Sequence, residues 1–162
     1  MASTVDETAA RASAGLMRAQ ATWFIDQKTL PRHQSLKLFR RDFSGYLEHL
    51  IARIEQLIDA RPPDDVPAKV ALAGVGEARR RLSVPGAPGL KGEAARVERL
   101  ARSVMALCDH YDSLTGLVMC LTCDKPIESG DAWVPYDMVC SSSGAVRAGR
   151  VHTRCADISR RH

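Results

Sequence analysis

Apolar positions recur with a helical period through the first two thirds of the chain and with a strand period near its end. Ala9, Ala12, Leu16, Ala19 and Trp23 are spaced 3-4-3-4 and share one face of a first helix. Leu30-Pro31 ends or bends that helix, because a residue before proline disfavours the helical region. A second stripe runs through Leu36, Phe39, Phe43, Tyr46, Leu50, Ile54 and Leu57, and Leu47, Ile51 and Ile58 widen it. It is broad enough to face the inside of a bundle. Arg61-Pro62-Pro63 stops it.

Asp64 or Asp65 can cap a third helix, with Pro67 tolerated in its first turn. Ala68, Leu72, Val75, Ala78 and Leu82 mark its expected buried side. Gly74 and Gly76 each weaken an isolated helix by about 1 kcal/mol relative to alanine. Close helix packing is the expected compensation. After the turn-rich segment 84–89, Val97, Leu100, Val104, Leu107, Tyr111 and Leu114 define a fourth helix, which Gly116 ends. Short Pro/Gly connections between amphipathic helices predict an up-and-down bundle of about four helices over residues 9–116. Residues 1–8 are small and polar and read as a disordered N-terminus.

The period changes in the last part. Ala132, Val134, Tyr136, Met138 and Cys140 alternate with Trp133, Pro135, Asp137 and Val139. Ser141-Ser142-Ser143-Gly144 follows, then a second run to Val151, which together predict a β-hairpin. The fold class is therefore mainly α, with a small β-containing module over residues 117–162.

Composition narrows the picture modestly. Ala, Arg and Leu favour helix, aromatics are 5%, and the formal net charge is +4. That charge permits an acidic partner without requiring one. The first ten residues carry Asp6 and Glu7 and no apolar core, so they are not a secretory signal. No apolar run approaches the roughly 20 residues a membrane span needs. Five cysteines, an odd number that includes a CxxC, predict a reduced cytoplasmic protein with a metal site and not a disulfide framework.

The candidate chemistry lies in that module. Cys120 and Cys123 form the CxxC, and after 28 intervening residues His152 and Cys155 form an HxxC. Thiolate and imidazole are the donors of a tetrahedral structural zinc site. A knuckle turns the first pair onto one ion, the hairpin returns the chain, and a terminal helix presents His152 and Cys155 from its first turn. Knuckle, hairpin and ligand-bearing helix is the treble-clef order, and one structural zinc is expected. Cys140 competes as fourth ligand, but it lies at the hairpin turn, roughly 20 Å from the strand ends at about 3.3 Å per residue. Cys108 sits beside the apolar stripe of the fourth helix. A module this small gains from a metal, since its apolar core is limited.

The ligand pattern, with Pro126-Ile127 and Gly130-Asp131 after the knuckle, resembles LIM-like treble-clef zinc modules. The helical part resembles an actinobacterial family of unknown function often labelled as natural-product biosynthesis proteins. That resemblance rests on Pro62-Pro63-Asp64-Asp65-Val66-Pro67, Gly76-Glu77-Ala78-Arg79 and Ala106-Leu107-Cys108-Asp109-His110-Tyr111, and it covers about residues 23–116. The label implies genomic neighbourhood and transfers no catalytic residue. The zinc tail falls outside it.

Two further groups bear on function. Glu48, His49, Asp109 and His110 would form a polar site if the second and fourth helices are adjacent, against the plainer reading of solvated helix flanks. Arg147, Arg150, Arg154, Arg160 and Arg161 make the tail one-signed, a pattern that attracts phosphate. No phosphate loop, nucleophile elbow or catalytic triad occurs. The expectation is a non-enzymatic accessory or regulatory protein that binds another protein. The alternatives are a nucleic-acid-binding protein that uses the arginine-rich tail and, third, an enzyme working between the second and fourth helices. A homo-oligomer is compatible with all three.

Overall fold

In the computed structural model, residues 3–116, 118–127, 130–139, 144 and 146–159 are described. Four long helices come first: α1 (Ser3–Ile25), α2 (His33–Asp59), α3 (Val66–Ser83) and α4 (Gly89–Leu114). The short strands β1 (Val118–Met119) and β2 (Pro126–Ile127) follow, then β3 (Trp133–Val139), β4 (Val146–His152) and α5 (Thr153–Ser159). The chain divides into two compact units, residues 1–114 and 115–162.

In the helical unit α4 is the central element and packs against α1, α2 and α3. Its predicted stripe, Val97 through Leu114, is buried throughout. Phe43, Leu47, Leu50 and Ile54 of α2 fill the space opposite. An aromatic group joins α1 to α2: Phe24 lies 5.0 Å from Phe39 and 5.7 Å from Phe43, centroid to centroid. These distances suit edge and tilted ring contacts.

Two buried faces differ from the sequence pattern. On α1 the core side chains are Ala14, Met17, Ala21 and Phe24, whereas Ala9, Ala12, Leu16, Ala19 and Trp23 face solvent. Both stripes have 3-4 spacing, and alanine appears in both, so periodicity alone offers no contrast between them. On α3 the buried set is Ala68, Ala71, Val75 and Ala78, and Leu72 is exposed. Small residues sit where α3 approaches its neighbours, and the larger Leu72 is left outside.

Local chemistry sets the ends of the helices. Asp65, not Asp64, caps α3: its carboxylate accepts from the Ala68 N–H at 2.9 Å. The same carboxylate pairs with Arg61 at 3.1 Å, and Arg61 donates to the Leu114 carbonyl in the last turn of α4. Gly116 follows that end with φ +71°, the left-handed conformation that closes a helix at little cost to glycine. Gly74 is a packing glycine, since a Cβ there would lie 2.5 Å from the His110 ring. Gly76 has open space around it, so close packing does not explain it.

A polar set fastens α1 to α4. Arg18 donates to Asp112 at 2.6 Å and to Asp109 at 2.9 Å, and the Cys108 thiol donates to the Ala14 carbonyl at 3.5 Å. Burial pushes the Asp112 carboxyl up against the pull of Arg18. Burial also pushes the Cys108 thiol up to about 12, only partly offset by Arg18, and keeps it protonated.

In the second unit β1 pairs with β2 and β3 with β4, both antiparallel. The β3–β4 register runs from Trp133↔His152 to Val139↔Val146. A separate small core holds Cys120, Ile127, Val151, Cys155 and Ala156.

Candidate metal centre

The first pair of cysteines is placed by a tight turn between β1 and β2. The Cys120 N–H donates to the Lys125 carbonyl at 2.9 Å, and the Asp124 N–H donates back to the Cys120 carbonyl at 3.0 Å. Asp124 takes φ +52°, a left-handed position that aspartate tolerates better than most residues. This knuckle is tied to the hairpin, because the Leu121 N–H donates to the Arg150 carbonyl at 3.0 Å. The two-residue strands flanking the knuckle are too short to show a period and are absent from the sequence pattern.

The second pair comes from the strand-to-helix junction. His152 is the last residue of β4 and not a helical residue, while Cys155 lies in the first turn of α5. The Thr153 N–H donates to the Ala132 carbonyl at 2.9 Å and fixes the start of α5 against the β3 end of the hairpin. Because Trp133 pairs with His152, the hairpin closes beside the knuckle.

The four donor atoms of Cys120, Cys123, His152 and Cys155 lie within 4.8 Å of one another and could hold a metal ion. The Cys123 sulfur is 3.4 Å and the Cys155 sulfur 3.9 Å from His152 Nδ1. The other ring nitrogen, Nε2, is 3.1 Å from the Pro126 carbonyl and 3.4 Å from the Asp131 carboxylate. Both partners are acceptors, so the proton belongs on Nε2 and the Nδ1 lone pair points at the three sulfurs. Pro126 and Asp131 thus orient the imidazole. Sequence spacing marked them only as part of the turn after the knuckle, since their approach to His152 depends on the closed hairpin.

Electrostatics suit a cation at this point. Burial alone would push the Cys120 thiol up, but N–H groups of His152, Cys123 and Thr122 together outweigh it and bring Cys120 down to about 6. The His152 N–H donates to that sulfur at 3.4 Å. Burial, together with the neighbouring Cys123 and Cys120 sulfurs, pushes Cys155 up. Crowded sulfurs repel as thiolates, and a central cation turns that repulsion into attraction.

The remaining candidates are placed as follows. Cys108 is buried in α4, in the other unit, and Cys140 lies outside the described residues. Glu48 and His49 are exposed on α2. Asp109 is taken by Arg18 of α1, and His110 lies against Gly74 of α3. Among the described residues, no second group of three or more His, Cys, Asp or Glu side chains could share a metal ion.

Of the tail arginines, Arg150 and Arg154 are exposed, and the Arg150 guanidinium lies 3.9 Å from the Trp133 ring centroid. Arg147 occupies β4 opposite Met138, while Arg160 and Arg161 lie outside the described residues. No described helix is long and apolar enough to cross a membrane.

A family model described as a family of unknown function (DUF6415) matches residues 15–116, well over half of the chain. The match ends before the Cys/His cluster. No curated protein and no solved structure matches the chain.

Proposed function

The chain belongs to that family of unknown function, and since membership carries no activity with it, we propose from its own chemistry that it is a zinc-stabilised, non-enzymatic accessory or regulatory protein acting by protein binding. The observation that carries this reading is the closed set of four donors. Zinc–sulfur and zinc–nitrogen bonds of about 2.3 and 2.0–2.1 Å give tetrahedron edges of about 3.6 Å between S and N. The S···N separations of 3.4 and 3.9 Å bracket that value. Three thiolates and an imidazole favour zinc over harder cations. Four protein ligands leave no position for water or substrate, so the metal's contribution is folding energy in a LIM-like module. Reduced thiols accord with the cytoplasm. In a biosynthetic setting, the one implied by the label on the resembling family, the protein would be an accessory factor.

Elemental analysis of the purified full chain tests the metal. About one zinc per chain is expected, with loss of most of it in Cys123→Ser. A chain that binds no zinc at neutral pH sinks the reading.

A second reading, nucleic-acid binding, is favoured by exposed Arg150 and Arg154 beside the cluster. It predicts affinity falling with salt at a slope of about −0.9 per phosphate contact on duplex DNA, and uniform weakening in an Arg150→Ala, Arg154→Ala variant. Absence of binding at low salt rejects it. The enzyme reading has no such support, because Asp109 and His110 turn to different neighbours.

A further inference from the structure

The three sulfurs of the cluster are not equally sheltered. Cys120 is fully buried and Cys155 is 5% exposed, while Cys123 is half-buried between exposed Thr122 and Asp124. Among the described cysteines it is the one open to a small solute, since Cys108 is buried as well. The donor atoms of Cys120, Cys123 and Cys155 all lie within 4.8 Å of one another, so a sulfur oxidised at Cys123 has thiols at hand to bond with. A cysteine that holds a metal does so as thiolate, the form that attacks peroxides.

We propose that the tail is a peroxide-responsive switch, in which Cys123 is oxidised first and then bonds to Cys120, expelling the metal. The inference rests on the zinc reading. In the first step the Cys123 thiolate attacks one oxygen of hydrogen peroxide; the O–O bond breaks, an S–OH group forms and hydroxide leaves. In the second the Cys120 thiolate attacks the Cys123 sulfur, an S–S bond forms and a second hydroxide leaves. Two electrons pass from the two sulfurs to the peroxide, and both hydroxides take up protons from solvent. Cys120 is favoured over Cys155 as the second sulfur because the tail loosens once a ligand is lost, its buried apolar side chains being few. Cys155 then departs with α5. Cys120 stays, with two residues between it and Cys123, in a turn closed by hydrogen bonds from Cys120 N–H to the Lys125 carbonyl and from Asp124 N–H to the Cys120 carbonyl. Closing so short a loop costs less chain entropy than recapturing a distant thiol. The disulfide leaves His152 and Cys155 as the only donors, so the cation is released and the tail unfolds. The helical unit has its own core and is spared. Exchange with a small thiol such as glutathione reverses the bond and lets the site reload.

The full chain carrying zinc, as a Cys140→Ser variant so that the tail's thiols are ligands only, is treated with excess hydrogen peroxide. A chromogenic chelator follows the metal, and peptide mapping after alkylation follows the thiols. Zinc should be released as two thiols are lost to a Cys120–Cys123 disulfide, with Cys108 still reduced. Dithiothreitol and fresh zinc should restore the site. In the same background Cys123→His, which keeps four zinc donors, should release zinc at least about tenfold more slowly. Zinc retained under peroxide overturns the switch, and so does a bridge to Cys155 or undiminished release from Cys123→His. Should that variant bind no zinc, the disulfide mapped with Cys123 in place decides alone. A chain without zinc before peroxide is added overturns the zinc reading and the switch together, whereas zinc that survives oxidation overturns only the switch.

Discussion

Metal removal should unfold one unit and spare the other. Among the described residues of the tail, the buried apolar side chains apart from the ligands are Ile127, Val151 and Ala156, with Val118, Leu121, Val134 and Tyr136 partly buried around them. At about 1.5–3 kcal/mol for each fully buried large side chain, and less for the partly buried ones, they contribute about 5–10 kcal/mol. Structural zinc in comparable small sites contributes about 10–16 kcal/mol. The metal thus outweighs the apolar core, and a chelator or Cys155→Ser should melt the tail. The helical unit keeps its own core of Phe43, Leu47, Val97, Leu107 and their neighbours. The chain has two tryptophans, and each unit holds one. In a Trp23→Phe variant, emission reports Trp133 alone, now packed under Arg150. On chelation that emission should shift to the red, while far-UV ellipticity falls by less than about a tenth, since α5 has 7 residues against 18 to 27 in each long helix. Trp133 emission unmoved by complete zinc removal would refute the idea that the metal holds the tail. Collapse of the helical signal would refute the independence of the two units.

Three further outcomes follow from the helical unit. Asp65→Ala should cost about 1.5 kcal/mol, combining a lost cap with a partly exposed ion pair to Arg61, and Asp64→Ala close to nothing; thermal melts check the difference. Burial raises the Asp112 carboxyl, so the folded state holds its proton more tightly than the unfolded chain. Relative to Asp112→Asn, the parent should then gain stability as pH falls through that raised pKa toward about 4, and a relative loss would mean the Arg18 pair dominates. Cys108, pushed up to about 12 and buried, should resist thiol reagents until the helical unit unfolds, as mass spectrometry of alkylated native protein can test.

What the sequence revealed depended on contrast between large apolar and charged positions. On α2 and α4 the stripes of Leu, Ile, Val and Phe stand against Lys, Arg and Glu, and those faces are buried as expected. On α1 the alternatives were two alanine-rich stripes with only Arg11 and Arg18 beside them, and the choice was made by Met17 and Phe24 docking on other helices. Leu72 misled for the related reason that Ala71, one position away, fits the closer approach. The four ligand residues were legible because CxxC and HxxC spacings are local. The support of His152 by Pro126 and Asp131 was not, because it depends on strand register.

The central place of α4 bears on the order in which the protein is made. Ribosomes release α1 first, yet three of its polar anchors, Arg18 to Asp109, Arg18 to Asp112 and Cys108 to Ala14, lie across α4. The chain must extend from Ile25 to Gly89 before that helix even begins. At about 5–20 residues per second, α1 waits on the order of 3–13 s without its partners on α4. A nascent chain stopped before Gly89 has only the largely aromatic contact with α2 to seat α1, and is a natural client for a chaperone that holds apolar helices during synthesis.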